Sequence, residues 1–138
     1  MRIDAINTGV VIDHITAENG MRLYELLDLG SLDCSVAIIK NVDSRKMGKK
    51  DIIKINADIA IDFDVIGYVD PGATVNIIRD SVIVEKRKID MPEHLTNVIR
   101  CKNPRCITST EQELDHVFRL TDREDKVYRC IYCEAKAN

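Results

Sequence analysis

The sequence predicts an α+β fold, an antiparallel sheet with two helices on one face followed by a small β-rich module held by four cysteines. Three observations predict it. Short runs rich in Val and Ile, punctuated by Gly, Pro, Asn and Asp, recur from the start of the chain to about residue 89, as strands and their turns do. Only two segments interrupt them with helical character. Two close cysteine pairs then occupy the tail: Cys101 and Cys106 with four residues between, and Cys130 and Cys133 with two.

Residues 3 to 15, "IDAINTGVVIDHI", read as a strand interrupted near Gly9. A helix is expected next. Thr16 is its expected N-cap, Met21, Leu23, Tyr24, Leu26 and Leu27 form an apolar stripe at helical spacing, and Gly30 ends it. "SVAIIK" (35 to 40) and "DIIKI" (51 to 55) are strands, joined by "NVDSRKMGKKD", which reads as an exposed hairpin loop. In "ADIAIDFDVIGYVD" alternation favours a strand and the flanks favour a helix, and a short helix over 62 to 69 is the preferred reading. Pro71-Gly72 turns the chain. "ATVNIIRD" and "SVIVEKRKI" then form a hairpin around Asp80-Ser81. "DMPEHLTN" (90 to 97) breaks the periodicity and is the expected linker, placing the domains at 1–92 and 93–138. The order β-α-β-β-α-β is that of a ferredoxin-like sheet, here with one strand more.

At 138 residues the chain holds one ordinary domain or two small ones. No apolar run approaches the ~20 residues that cross a bilayer, so a cytoplasmic protein without a membrane partner is expected. A net charge of −3 gives no global attraction to a polyanion, and 4% aromatic residues leave little for stacking on single-stranded nucleic acid.

Five cysteines in a reducing compartment are not a disulfide framework. Cys34 reads as a small buried hydrophobe. The other four can supply a tetrahedron of thiolates, for which Zn²⁺ is the default ion, one per chain. Four cysteine ligands leave no open coordination position, so such a site builds structure and does not catalyse. A nucleic-acid zinc ribbon is the competing reading. From Arg100 to Asn138, however, eight Lys and Arg stand against seven Asp and Glu, a near balance that disfavours phosphate-driven binding.

In the first domain, Asp13 and His14 lie on the first strand, while Lys54, Lys86 and Lys88 lie on or beside later ones. A carboxylate that accepts from ribose hydroxyls and ammonium groups that meet phosphates could together hold a nucleotide. There is no Walker A or G-x-G-x-x-G sequence, so neither a P-loop nor a Rossmann cradle is used. His14 has no evident nucleophile beside it, which favours binding without turnover.

These pieces in this order resemble the regulatory chain of aspartate carbamoyltransferase. The resemblance runs nearly end to end, through "AINTGVVIDHI", "MGKKDIIKI", "PGATVNII", "VIVEKRK", "LTNVIRCKNPRCI" and "CIYCE". It implies a noncatalytic subunit that forms a homodimer and binds nucleoside triphosphates in its N-terminal allosteric domain, ATP generally activating and CTP inhibiting pyrimidine biosynthesis. Its zinc domain would dock on catalytic chains. Carried over by motif, Asp13 and Lys54 would contact sugar or base, Lys86 with His14 and Lys88 would face the phosphates, and Ile6, Val11 and Ile52 would line the base pocket. Asn103 and Glu134 match positions of catalytic-chain contact.

Overall fold

The computed structural model describes residues 7–137, and the chain divides into two compact units, Met1–Asp90 and Met91–Asn138. The first unit contains five strands: β1 (Gly9–Thr16), β2 (Val36–Ser44), β3 (Gly48–Ile55), β4 (Thr74–Arg79) and β5 (Val82–Lys88). They pair antiparallel throughout in the order β2-β3-β1-β4-β5. Helix α1 (Asn19–Leu26) carries the chain from β1 to β2, leaving between them the place that β3 fills by hairpin return. Helix α2 (Phe63–Val69) carries it from β3 to β4.

The period-two pattern sorts the two faces. Val10, Ile12, Ile53, Ile55 and Val75 are buried. Ile12 stands opposite Ile53 on one side and Val75 on the other, so these side chains share one face. Burying each contributes roughly 1.5–3 kcal/mol relative to exposure. Both helices cover this face. α1 brings Gly20 against Asp51, the residue two before Ile53, and a Cβ on Gly20 would lie 2.9 Å from the Asp51 carboxylate. At the start of α2 the Phe63 ring lies under the Arg87 guanidinium at 4.0 Å, and Arg87 pairs with Val75.

Helix α2 follows its sequence signals. The Asp62 side chain accepts from the Asp64 N–H at 3.0 Å, an N-cap worth about 1 kcal/mol. Helix α1 departs from them. Thr16 is the last residue of β1 and caps nothing; the helix begins at Asn19, behind Glu18 at φ 84°. The N–H groups at this helix start are satisfied from β3, because Asp51 accepts from Glu18 N at 2.9 Å and Gly20 N at 3.0 Å. Gly30 belongs to a separate 3-10 turn, Leu29–Ser31. The stretch read as an exposed loop between β2 and β3 is mostly strand, with Ser44 opposite Gly48 and a turn closed by Gly48 at φ 79°. An ion pair between Lys49 and Asp43 on the paired strands supports this polar extension.

The second unit has three antiparallel strands, β6 (His94–Thr96), β7 (Val117–Asp122) and β8 (Val127–Cys130), in the order β6-β7-β8, and one short helix, α3 (Ile107–Thr110). The segment expected as a linker therefore contains a strand, with Leu95 paired to Phe118. Met91, Leu95, Phe118 and Tyr128 are its buried apolar residues besides cysteines, and the Tyr128 hydroxyl donates to the Pro92 carbonyl at 2.6 Å. So small a core needs further support.

Candidate functional site

The sheet face opposite the helices gathers the residues that the sequence singled out in the first unit. Lys54 pairs with Val11, Val11 with Asn76, and Asn76 with Lys86, forming one cross-strand row over four strands. Directly opposed residues share a face, so these four project together. Two residues along, Asp13 pairs with Thr74 and Thr74 with Lys88. Ile52 lies two before Lys54 on β3 and is half-buried, as are Val11, Asp13 and Lys54. Lys86 and Lys88 are exposed. Ile6 lies outside the described residues.

A β-bulge shapes the end of this face. The β1–β3 register jumps between Ile12 and Ile15, so Asp13 and His14 occupy the space of one residue, and His14 takes φ 56°. Bulges re-aim side chains. His14 Nδ1 lies 3.1 Å from Thr74 Oγ1, and its backbone N–H donates to Asp13 Oδ1 at 2.6 Å. Lys50 Nζ meets the same carboxylate at 3.0 Å. Burial pushes the Asp13 carboxyl up, but the bonds from Lys50 and the His14 N–H, with the Lys50 charge, outweigh it and hold it below the ordinary carboxylate range. It is therefore an ionised acceptor at neutral pH.

Sequence reasoning missed three residues here: Lys50, Thr74 and Asn76. The signal was period two. Lys50, Ile52 and Lys54 alternate along β3, and Thr74 and Asn76 along β4. Asn76 has a further property: its Oδ1 is buried with no hydrogen-bond partner among the described residues, an acceptor with unused capacity in the middle of the row.

In the second unit the four cysteines converge. Their Sγ atoms all lie within 4.8 Å of one another, with Cys101 to Cys133 at 3.5 Å and Cys106 to Cys130 at 3.7 Å. Thiolates at about 2.3 Å from a common tetrahedral centre would stand about 3.8 Å apart, so the arrangement fits a closed four-sulfur metal site. Burial pushes the Cys101 thiol up to about 12 and also raises Cys130, while a backbone hydrogen bond at Ala135 and the Asn103 side chain bring Cys133 down to about 6. Holding Cys101 and Cys130 as thiolates at neutral pH thus requires a cation among them.

The surrounding residues organise the knuckles. Thr108 Oγ1 donates to Cys106 Sγ at 3.1 Å, and His116 Nδ1 accepts the Cys101 N–H at 3.1 Å, so that nitrogen is committed to the backbone. Asn103 accepts through its side chain from Arg105 N at 3.0 Å and through its carbonyl from Cys106 N and Ser109 Oγ. Glu134 is exposed at φ 64°, just past Cys133. Cys34 is half-buried in the other unit and takes no part.

Comparison with known proteins accounts for both units. Residues 1–90 match the family model described as the aspartate carbamoyltransferase regulatory chain, allosteric domain, and residues 93–138 match that of its metal binding domain. The chain is 50% identical over 135 residues to the aspartate carbamoyltransferase regulatory chain of Clostridium tetani, covering 97% of this chain and 94% of that one. It is 46% identical to that of Clostridium botulinum (strain Hall), covering 97% and 92%, and 42% identical to that of Bifidobacterium longum, covering 99% of each. With these matches over both units, the chain belongs to the family of aspartate carbamoyltransferase regulatory chains, the noncatalytic subunits of that enzyme.

Proposed function

We propose that this chain binds CTP and ATP on the outer sheet face of its first unit and passes their effect to aspartate carbamoyltransferase catalytic chains through a Zn²⁺-bound second unit. The observation that carries the reading is the row Lys54–Val11–Asn76–Lys86 beside Asp13–Thr74–Lys88. It offers an apolar floor, an ionised acceptor and a line of cations on one surface. Asp13 and Lys54 receive the ribose or base, Lys86 and Lys88 with His14 meet the phosphates, and Val11 and Ile52, with Ile6, contact the base. Asn76 supplies an acceptor that no group among the described residues uses.

Zn²⁺ suits four thiolates because it is borderline-soft and tetrahedral. The metal fixes a docking surface: Ile107, Ile131 and Tyr132, each next to a cysteine ligand, are among the exposed large hydrophobic residues. Exposed apolar side chains on a rigid knuckle suit a protein partner. Glu134 at the rim and Asn103 within the knuckle flank them. The near-balanced charge of this unit argues against nucleic acid, and among the described residues no helix is long and apolar enough to cross a membrane.

The chain acts as a homodimer joined along β2, an edge strand of the sheet with unpaired backbone groups on its outer side. Sedimentation of the isolated chain is expected to show a dimer at micromolar concentration, and a monomer throughout the micromolar range would sink the assembly. Reconstitution with catalytic chains tests the function itself. The isolated chain should transfer no carbamoyl group, whereas the complex should respond to both nucleotides. A stable complex indifferent to CTP and ATP, with no calorimetric binding of either to this chain, would remove the effector role.

A further inference from the structure

Two β-bulges flank β3, one on each neighbouring strand. In β1 the extra residue falls at Asp13-His14; in β2 the register jumps between Ile39 and Val42, around Asn41 at φ 58°. Asp51 sits between them on β3, fully buried at 0% exposure. Its carboxylate bonds in both directions. Oδ1 accepts from Asn41 N, inside the β2 bulge, at 3.0 Å. Oδ2 accepts from Glu18 N and Gly20 N, in the segment that leaves the β1 bulge for α1. A buried charge is tolerated only when it is hydrogen-bonded, and three backbone donors meet that need here.

We propose that Asp51 is a positioning residue for the effector face: by fixing the β2 bulge, and the segment that follows the β1 bulge, to β3, it sets where Asp13, His14 and Lys50 stand on the opposite side of the sheet. Its own side chain lies on the helix-covered face, against the start of α1. Its neighbours in sequence, Lys50 and Ile52, project onto the effector face by strand alternation. Asp51 also pairs with Ile15, the first residue after the β1 bulge. Of the two left-handed bulge residues, Asn41 is held by the Asp51 carboxylate directly, and His14 lies four residues before Glu18, the first N–H that the same carboxylate anchors after the β1 bulge. Ile12 and Ile53 fill the adjoining core independently of it.

The inference rests on reading that face as the nucleotide site, and its test separates the two. In Asp51→Asn one oxygen becomes an amide donor facing a backbone N–H, so at least one of the three bonds is lost while the volume is kept. The titration of Asp13, followed by carboxyl NMR on the full chain without ligand, is expected to move up toward the ordinary carboxylate range as Lys50 and the His14 N–H shift away. CTP affinity, measured by calorimetry, is expected to fall about tenfold, the scale of a displacement of an ångström or less. A folded Asp51→Asn with reduced stability but unchanged Asp13 titration would make Asp51 a purely structural residue and overturn the inference. Wild-type chain that binds no CTP would instead overturn the nucleotide reading, leaving the Asp13 titration to decide the role of Asp51. Should Asp51→Asn not fold, Gly20→Ala gives the same two readouts, because its Cβ would press on Asp51 Oδ2 from 2.9 Å without removing the carboxylate.

Discussion

Cys130→Ser is expected to unfold the second unit and abolish docking on catalytic chains, while the first unit remains folded. Cys130 ends β8, is buried, and sits 3.7 Å from Cys106 and opposite Phe118, so its thiol would be a ligand of the proposed metal and is part of the wall of a very small core. Structural Zn²⁺ in modules of this kind contributes on the order of 10 kcal/mol or more, a large share beside what so few buried apolar side chains provide. Losing one thiolate therefore costs more than the module possesses. Hydrogen exchange is expected to show loss of protection across Leu95, Phe118 and Tyr128 with β1, β3 and β4 unchanged. Chelation of the wild-type chain should reproduce it. Metal analysis finding no zinc, or a serine variant that stays protected and still docks, would contradict the metal assignment.

The second large effect concerns the outer sheet face. Lys86→Ala and Asp13→Ala should each weaken CTP binding by about one to two powers of ten, since a charge-assisted hydrogen bond to a ligand is worth roughly 1.5–3 kcal/mol. They should differ in kind. Lys86 is exposed at the end of the row and presents a point charge, so its loss should matter for CTP and hardly at all for cytidine. Asp13→Ala should weaken both ligands by a similar factor, because a sugar acceptor does not depend on the phosphates. It also frees Lys50, now without its carboxylate at 3.0 Å, which should make the residual triphosphate binding more sensitive to salt. Calorimetric titration of both ligands into both variants decides the roles. Equal losses for CTP and cytidine in Lys86→Ala would take the phosphate from that lysine.

Much of this architecture was legible in the residues. The alternation of Val10, Ile12, Ile53, Ile55 and Val75 announces strands with one buried face, and the flanks of "ADIAIDFDVIGYVD" favour the short helix that α2 forms, because period and flanking residues are local properties. The cysteine spacings are equally local, and the four sulfurs converge as the two pairs suggest. The start of α1 was misread for the opposite reason. Thr16 looks like a cap, but a cap is whichever acceptor reaches the free N–H groups, and here the acceptor is Asp51, far away in sequence. Nothing within "ITAENG" encodes that bond. Lys50 and Asn76 were passed over similarly, since each looks like an ordinary polar strand residue until its cross-strand partners are known.

By itself the sequence determined most strands and both helices of the first unit, the buried stripe of β1 and β3, the grouping of four cysteines and, through its motifs, the family. Those follow from short-range periodicity and from spacing along the chain, which the order of residues expresses directly. Only the tertiary structure decided the register that sets Lys54, Val11, Asn76 and Lys86 in one row, the bulge that brings His14 beside Thr74, and the buried carboxylate of Asp51 between two bulges. A slip of one residue in any pairing would send those side chains to the opposite face. Register is settled by the packing of the whole sheet against its helices, a free energy summed over residues distant in the chain, and no local stretch contains it.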